Sequence, residues 1–153
     1  MLRLGLVFAG VVIVLDQLTK IAILAFLDSV IEVTPFLNLV VVWNPGVSFG
    51  MFASVGALMP WLLSGLSLAV AVALGAWLLR VEHPLAAVAL GLIIGGALGN
   101  VIDRVRFGAV VDFLDFHALG YHWPAFNVAD SAICVGAGLL LVDGLLAPRR
   151  QST

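Results

Sequence analysis

Two aspartates, Asp112 and Asp130, stand in a chain that otherwise reads as membrane, in the runs Val110-Val-Asp112-Phe113 and Phe126-Asn127-Val-Ala129-Asp130. Ionisable groups at membrane depth are costly to keep and are functional candidates by default. A pair of carboxylates sharing one proton is also the minimum equipment for acid/base hydrolysis. Other polar residues interrupt the apolar sequence as well: Asp16, Lys20, Asn44, Asn100, Asp103, Arg104 and Asn127.

Each of these has a plainer structural reading. Asp16 and Lys20, four apart on one helical face, neutralise each other. Asn44 before Pro45 shapes a turn, and Asn100 caps a helix or cross-links two. Asp103 and Arg104 form an interfacial ion pair, and Asp115 is solvated or turn-forming. Asp112 and Asp130 are then a loop residue and a helix-start residue, where a carboxylate is favoured. His83, His117 and His122 are too scattered for a metal centre, so no metal is expected. Cys134, the one cysteine, lies in an apolar run and reads as a small core residue. Residue types alone leave catalysis and these structural roles side by side.

The elements that must position these groups follow from composition. Of 153 residues, 63% are hydrophobic and 10% charged, and the mean hydropathy is +1.19. Soluble domains carry about 25% charged residues. Such a chain cannot dissolve its own surface, and the expectation is an integral membrane protein with one domain over 1–153. Seven Lys and Arg in no cluster argue against nucleic-acid binding. A crossing helix needs about 20 mostly apolar residues, and four windows qualify, at 4–27, 57–79, 85–102 and 126–146. The first imitates a signal peptide, yet no small-x-small cleavage pattern follows, so it reads as an uncleaved span. The run Gly95-Gly-Ala-Leu-Gly99 supplies small residues for close helix approach. Arg3, Arg80, Arg149 and Arg150 on one side outnumber Arg104 and Arg106 on the other, which puts both termini in the cytoplasm. Segments 28–56 and 103–125 are then on the outer side. Ile31 to Trp43 is β-prone and ends in the turn signal Asn44-Pro45-Gly46, and Val110 to Trp123 is similarly apolar and aromatic. The fold class expected is an all-α membrane protein of four transmembrane helices with a small β-rich surface element. That element rests on the bilayer with Trp43, Tyr121 and Trp123 at headgroup level. In this arrangement Lys20, Asn44, Asn100, Asp103, Asn127 and Asp130 arrive at one depth near the outer leaflet.

Five spaced blocks carry a further signal: Asp16-Gln-Leu-Thr-Lys20, Asn44-Pro-Gly-Val-Ser-Phe-Gly50, Gly99-Asn100-Val-Ile-Asp103-Arg104, Val110-Val-Asp112-Phe113 and Phe126-Asn127-Val-Ala129-Asp130. With these, the chain strongly resembles the lipoprotein signal peptidases (signal peptidase II), bacterial inner-membrane aspartyl peptidases, over nearly its whole length. The resemblance implies that Asp112 and Asp130 form the catalytic dyad. It implies supporting or substrate-binding places for Asp16, Lys20, Asn44, Gly46, Asn100, Asp103, Arg104, Asn127 and Ala129. It further implies a diacylglyceryl-modified prolipoprotein substrate cut on the amino side of the lipidated cysteine, inhibition by globomycin-type peptides, and contact with membrane lipid. No cofactor is needed, and nothing in the sequence demands more than a monomer. Two rivals of other classes are a small proton-coupled transporter and a non-catalytic assembly subunit. The first needs polar groups along a path across the bilayer; the second tolerates loss of either aspartate.

Overall fold

The computed structural model describes residues 1–46 and 58–146. Its elements in chain order are α1 (Leu2–Phe26), β1 (Ile31–Thr34), β2 (Leu37–Asn44), α2 (Met59–Leu78), α3 (Pro84–Phe107), β3 (Val110–Ala118), β4 (Tyr121–His122) and α4 (Val128–Leu146). Among the described residues, four helices are long and apolar enough to cross a membrane. The serine and phenylalanine of the second sequence block, Ser48 and Phe49, with Gly50, lie outside the described residues, as do Arg149 and Arg150.

Helix α3 is the central element and packs against α1, α2 and α4. Lipid tails are as apolar as leucine, so hydrophobicity alone does not bring helices together; close van der Waals approach does. The small residues of α3 provide it. Gly91, Gly95 and Gly99 recur every four residues along the side facing α1. A Cβ at Gly91 would run into the Gly5 carbonyl, and one at Gly95 would lie 2.6 Å from Ala9 O and 2.8 Å from Val12 Cβ. On the α4 side, a Cβ at Gly96 would meet the Ala129 carbonyl, and one at Gly136 of α4 would lie 2.7 Å from Ala89 O. The outward faces of α1 and α2 carry Leu6, Val7, Val14, Leu18, Leu62, Leu66 and Val72, all exposed. Charged and amide side chains are inside instead: Asp16, Lys20, Asn100, Asp103 and Asn127 are buried. Gly95→Ala is expected to lower stability by about 1–3 kcal/mol through overpacking of the α1–α3 seam. Thermal unfolding in detergent tests this beside Gly10→Ala, whose added methyl meets nothing within 4 Å and is expected to be harmless.

The third helix extends five residues past the expected end at 102, because helix propagation requires no apolar side chains, only the absence of a stop. The stop is Gly108, at φ 72° with its N–H donating to Arg104 O at 3.0 Å, a left-handed helix terminus. Asp103 and Arg104 are therefore helical residues rather than the start of a loop. The two β-prone segments form one antiparallel sheet in the order β1-β2-β3-β4. A bulge between Leu39 and Val42 sets the register in which Val42 faces Asp112 and Asn44 faces Val110. Phe126 then pairs with Leu114: Leu114 N–H donates to Phe126 O at 2.8 Å, and Phe126 N–H to Leu114 O at 3.1 Å. That pairing pins the start of α4 against β3.

Two further expectations are corrected by the fold. Cys134 is exposed rather than part of the core. Asp115 is neither solvated nor in a turn. It is buried on β3, accepts from Asn38 Nδ2 at 3.1 Å and lies 2.8 Å from His122 Nδ1. The His122 hydrogen bond holds the Asp115 carboxyl below the usual carboxylate range.

Candidate active site

Both candidate carboxylates owe their positions to local rules. On an antiparallel sheet, residues directly opposite share a face, and so do their neighbours two along. Val42 is opposite Asp112, so Asn44 lies diagonally beside Asp112, and its Nδ2 donates to Asp112 Oδ2 at 2.9 Å. The other end of the Asn44 amide accepts from Gly46 N–H at 2.8 Å. Gly46 has φ 84°, and a Cβ there would collide with Leu63 Cδ1, so glycine is required on both counts. Asn44 thus both shapes the turn and holds the carboxylate.

Asp130 is placed by a capping box. Asn127 precedes the first residue of α4; its Oδ1 accepts from Asp130 N–H at 2.9 Å while Asp130 Oδ2 accepts from Asn127 N–H at 3.3 Å. The same Asn127 donates Nδ2 to Asp112 Oδ1 at 2.7 Å, to Val111 O at 3.3 Å and to Asn100 Oδ1 at 3.2 Å. Asn100 in turn donates Nδ2 to Asp130 Oδ1 at 2.8 Å. Asn44 and Asn127 brace Asp112, Asn100 braces Asp130, and Asn127 donates to Asn100 to join the two. The helix-start reading of Asp130 is correct, and the same geometry aims its carboxylate at the site.

Behind this layer is a buried ionic cluster. Lys20 Nζ lies 2.9 Å from Asp16 Oδ2 and 2.7 Å from Asp103 Oδ2, and donates to Asn100 Oδ1 at 3.2 Å. Asp16 and Lys20 do neutralise each other, as their spacing implies, but the shorter ion pair reaches across to α3. Asp103 therefore pairs with Lys20 and not with neighbouring Arg104. Asp16 Oδ1 accepts from Ala129 N–H at 3.0 Å, and Asp103 Oδ2 accepts from Val111 N–H at 3.1 Å. A Cβ on Gly99 would lie 2.7 Å from Asp16 Oδ2, so that glycine makes room for the carboxylate. The cluster ties α1, α3, β3 and α4 together immediately beneath the two aspartates.

Arg104 lines a cleft of about 330 Å³ between α2, α3 and α4 with Asn100, Asp130, Ser67 and Ile133. A second cleft of about 410 Å³, bordered by Trp123, Phe126, Ser131 and Cys134, also reaches Asp130. All the residues expected at the site thus gather at one end of the helices, beside the sheet. Sequence reasoning missed Gln17, whose amide touches both Asp16 and Asp103; nothing in its spacing marks it. Among the described residues no cluster of His, Cys, Asp and Glu is suited to a metal ion. His117 and His122, expected to be scattered, stack at 5.0 Å on the sheet, away from the two aspartates.

Burial pushes the Asp112 carboxyl up to about 6, the charge of Asp130 pushes in the same direction, and the amide donors Asn44 and Asn127 pull the other way. A raised carboxyl holds its proton through mildly acidic pH, where an unfolded chain has already lost it. The contribution of Asp112 to stability therefore falls as pH rises from about 4 to about 6. For a hydrolytic pair that must keep one proton, kcat/KM of the free enzyme is expected to fall as pH rises through about 6. A rate profile measured below the KM checks this, and Asp115, remote from the pair, should leave it unchanged when replaced by Asn.

The chain matches the family model for signal peptidase (SPase) II over residues 8–146. It is 53% identical over 143 residues to a lipoprotein signal peptidase of Ralstonia nicotianae, covering 90% of this chain and 82% of that protein. It is 46% identical over 153 residues to one from a Methylobacterium species, covering 97% and 93%. Among solved structures, a bacterial membrane enzyme determined in meso at 1.9 Å resolution superposes with a TM-score of 0.82 at 32% identity, covering 94% of this chain and 93% of the other. A second, at 2.3 Å resolution, gives 0.81 at 30% identity, covering 97% and 93%. With its four apolar helices, its sheet and the polar cluster where the two meet, this chain belongs to the signal peptidase II family of membrane proteases.

Proposed function

We propose that this protein removes the signal peptide from diacylglyceryl-modified prolipoproteins, cutting on the amino side of the lipidated cysteine, with Asp112 and Asp130 as the catalytic dyad. The observation that carries the reading is the bracing of the two carboxylates. Asn127 and Asn44 hold Asp112, Asn100 holds Asp130, and Asp130 opens on two clefts. Two carboxylates close enough to disfavour double ionisation share a proton. The ionised one takes a proton from water as the oxygen attacks the scissile carbonyl, while the neutral one donates its proton to the carbonyl oxygen. Collapse of the tetrahedral diol breaks the C–N bond. The departing nitrogen is protonated by the pair, which leaves a carboxylate on the signal peptide and an amine on the lipidated cysteine. The two carboxyls are coupled, and their protons leave in two steps that belong to the pair.

Arg104 and Asn100, beside Asp130 in the cleft between α2, α3 and α4, are suited to hold carbonyl groups of the extended peptide. Its acyl chains stay in the surrounding lipid. The site is on the outer face of the inner membrane with both termini cytoplasmic. The charge asymmetry of the sequence supports this orientation, and the exposed Trp43, Tyr121 and Trp123 support a place for the sheet at headgroup level. The reading asks for a single copy of the chain. Globomycin-type peptides would occupy the same clefts.

The test is the mass of the products from a purified precursor with and without its diacylglyceryl group. Cleavage confined to the lipidated precursor, before its cysteine, is the expected result. Equal cleavage of both, or a cut elsewhere, would overturn the substrate assignment.

A further inference from the structure

The cluster beneath the dyad holds two buried carboxylates, Asp16 and Asp103, against one buried ammonium, Lys20. By formal charge, one negative charge is left over among side chains that are almost fully buried. Gln17 is the group that meets it. Its Nε2 lies 3.1 Å from Asp16 Oδ2, 3.0 Å from Asp103 Oδ1 and 3.3 Å from Gly99 O, so one amide spans both carboxylates. Its Oε1 accepts from the Arg106 guanidinium at 3.3 Å, linking an exposed cation to the buried excess charge. The same side chain lines a cleft of about 280 Å³ with Lys20, Asp103 and Arg106.

The cluster in turn sets the orientation of the amide that touches the dyad. Asn100 Oδ1 accepts from Lys20 and from Asn127, so its Nδ2 is the end left to face Asp130. We infer that Gln17 is a positioning residue for the reaction. By donating to Asp16 and Asp103 together it holds Lys20 in place, and Lys20 holds Asn100 with its donor on Asp130. This rests on the dyad reading given above. Charged groups facing position 17 are Asp16 and Lys20 from α1, and Asp103 and Arg106 from α3.

Gln17→Glu keeps the shape but replaces the donor by a carboxyl that donates only when protonated. At neutral pH it is expected to lower kcat about tenfold with KM unchanged, since a donor to two charged groups is lost. Divided by the wild-type rate at the same pH, its activity is expected to recover in part as pH falls towards about 5, as the new carboxyl takes up a proton and regains one of the two donors. Gln17→Met, with similar length and no donor, is expected to lose a similar factor at every pH. Both variants are compared with wild type at equal amounts of folded protein, with Asp112→Asn and Asp130→Asn in the same assay. A Gln17→Glu ratio that stays flat with pH, or wild-type kcat in Gln17→Met, overturns the inference and leaves the dyad standing. Cleavage by both aspartate variants overturns the dyad and this inference together.

Discussion

Lys20→Met is expected to destabilise the protein by about 3–5 kcal/mol and to abolish cleavage, because removing one partner of a buried pair leaves the other charge uncompensated. Here two charges are left. Lys20 is 2% exposed and lies within 3 Å of a carboxylate oxygen on both Asp16 and Asp103, which are themselves 0% and 1% exposed. Without the ammonium, these like charges face each other with only amide and backbone donors between them, and one must bind a proton or the helices must part. Methionine matches the length of the stem, so lost packing is not the cause. Activity falls separately from stability, because Asn100 loses the donor that directs its own amide at Asp130. The double variant Lys20→Met/Asp103→Asn removes one charge of each sign and is expected to regain much of the stability without regaining turnover. Thermal midpoints in detergent read the first effect and cleavage rates the second. A Lys20→Met protein as stable as wild type would show that the cluster is open to water and contributes little.

Much of this arrangement was legible in the sequence. Asp16 and Lys20 are four apart, so their pairing follows from helix geometry alone. Asn127 and Asp130 are three apart ahead of an apolar run, which is the spacing of a helix-capping box. The small residues of α3 announced a close helix approach, and the β-prone segments were found where their composition and turn residues placed them. What could not be read depended on long-range contacts or on the lipid. Asp115 looked solvated because its amide partner, Asn38, is 77 residues away along the chain. Cys134 looked buried because a lipid-facing surface is as apolar as a core, and hydropathy gives no inward direction in a membrane. The transfer of Asp103 from Arg104 to Lys20 needed the register of α1 against α3, which the glycines set only in three dimensions. Gln17 was missed because a residue next to an aspartate on a helix is not normally on its face; here its length lets it curl back.

Asp112→Asn and Asp130→Asn are each expected to reduce cleavage by at least about 10³-fold while leaving a folded protein. General acid/base catalysis alone accounts for about 10²–10⁴-fold, and an asparagine can neither accept the water proton nor supply one to the carbonyl. Both substitutions keep the shape of the side chain. At position 112 the loss of a buried charge is favourable, since burial already raises that carboxyl to about 6. Against it, one end of the new amide must face the donor of Asn44 or of Asn127, which now meet a single acceptor oxygen. The two effects are of similar size, so stability is expected to shift by less than about 2 kcal/mol. At position 130 the backbone half of the capping box survives if the new amide oxygen accepts from Asn127 N–H or from Asn100. Loss of turnover in a protein that still unfolds cooperatively near the wild-type temperature therefore points to chemistry rather than to folding. The polar groups described sit at one end of the helices and do not form a path across them, which a transporter would need.

The most direct measurement is cleavage of a purified diacylated prolipoprotein in detergent by wild type, Asp112→Asn and Asp130→Asn at equal amounts of folded protein, with the products weighed by mass spectrometry. The account predicts that wild type releases a signal peptide ending immediately before the lipidated cysteine, and that neither variant releases it at a measurable rate. Turnover near the wild-type rate by either variant would contradict the two-aspartate mechanism.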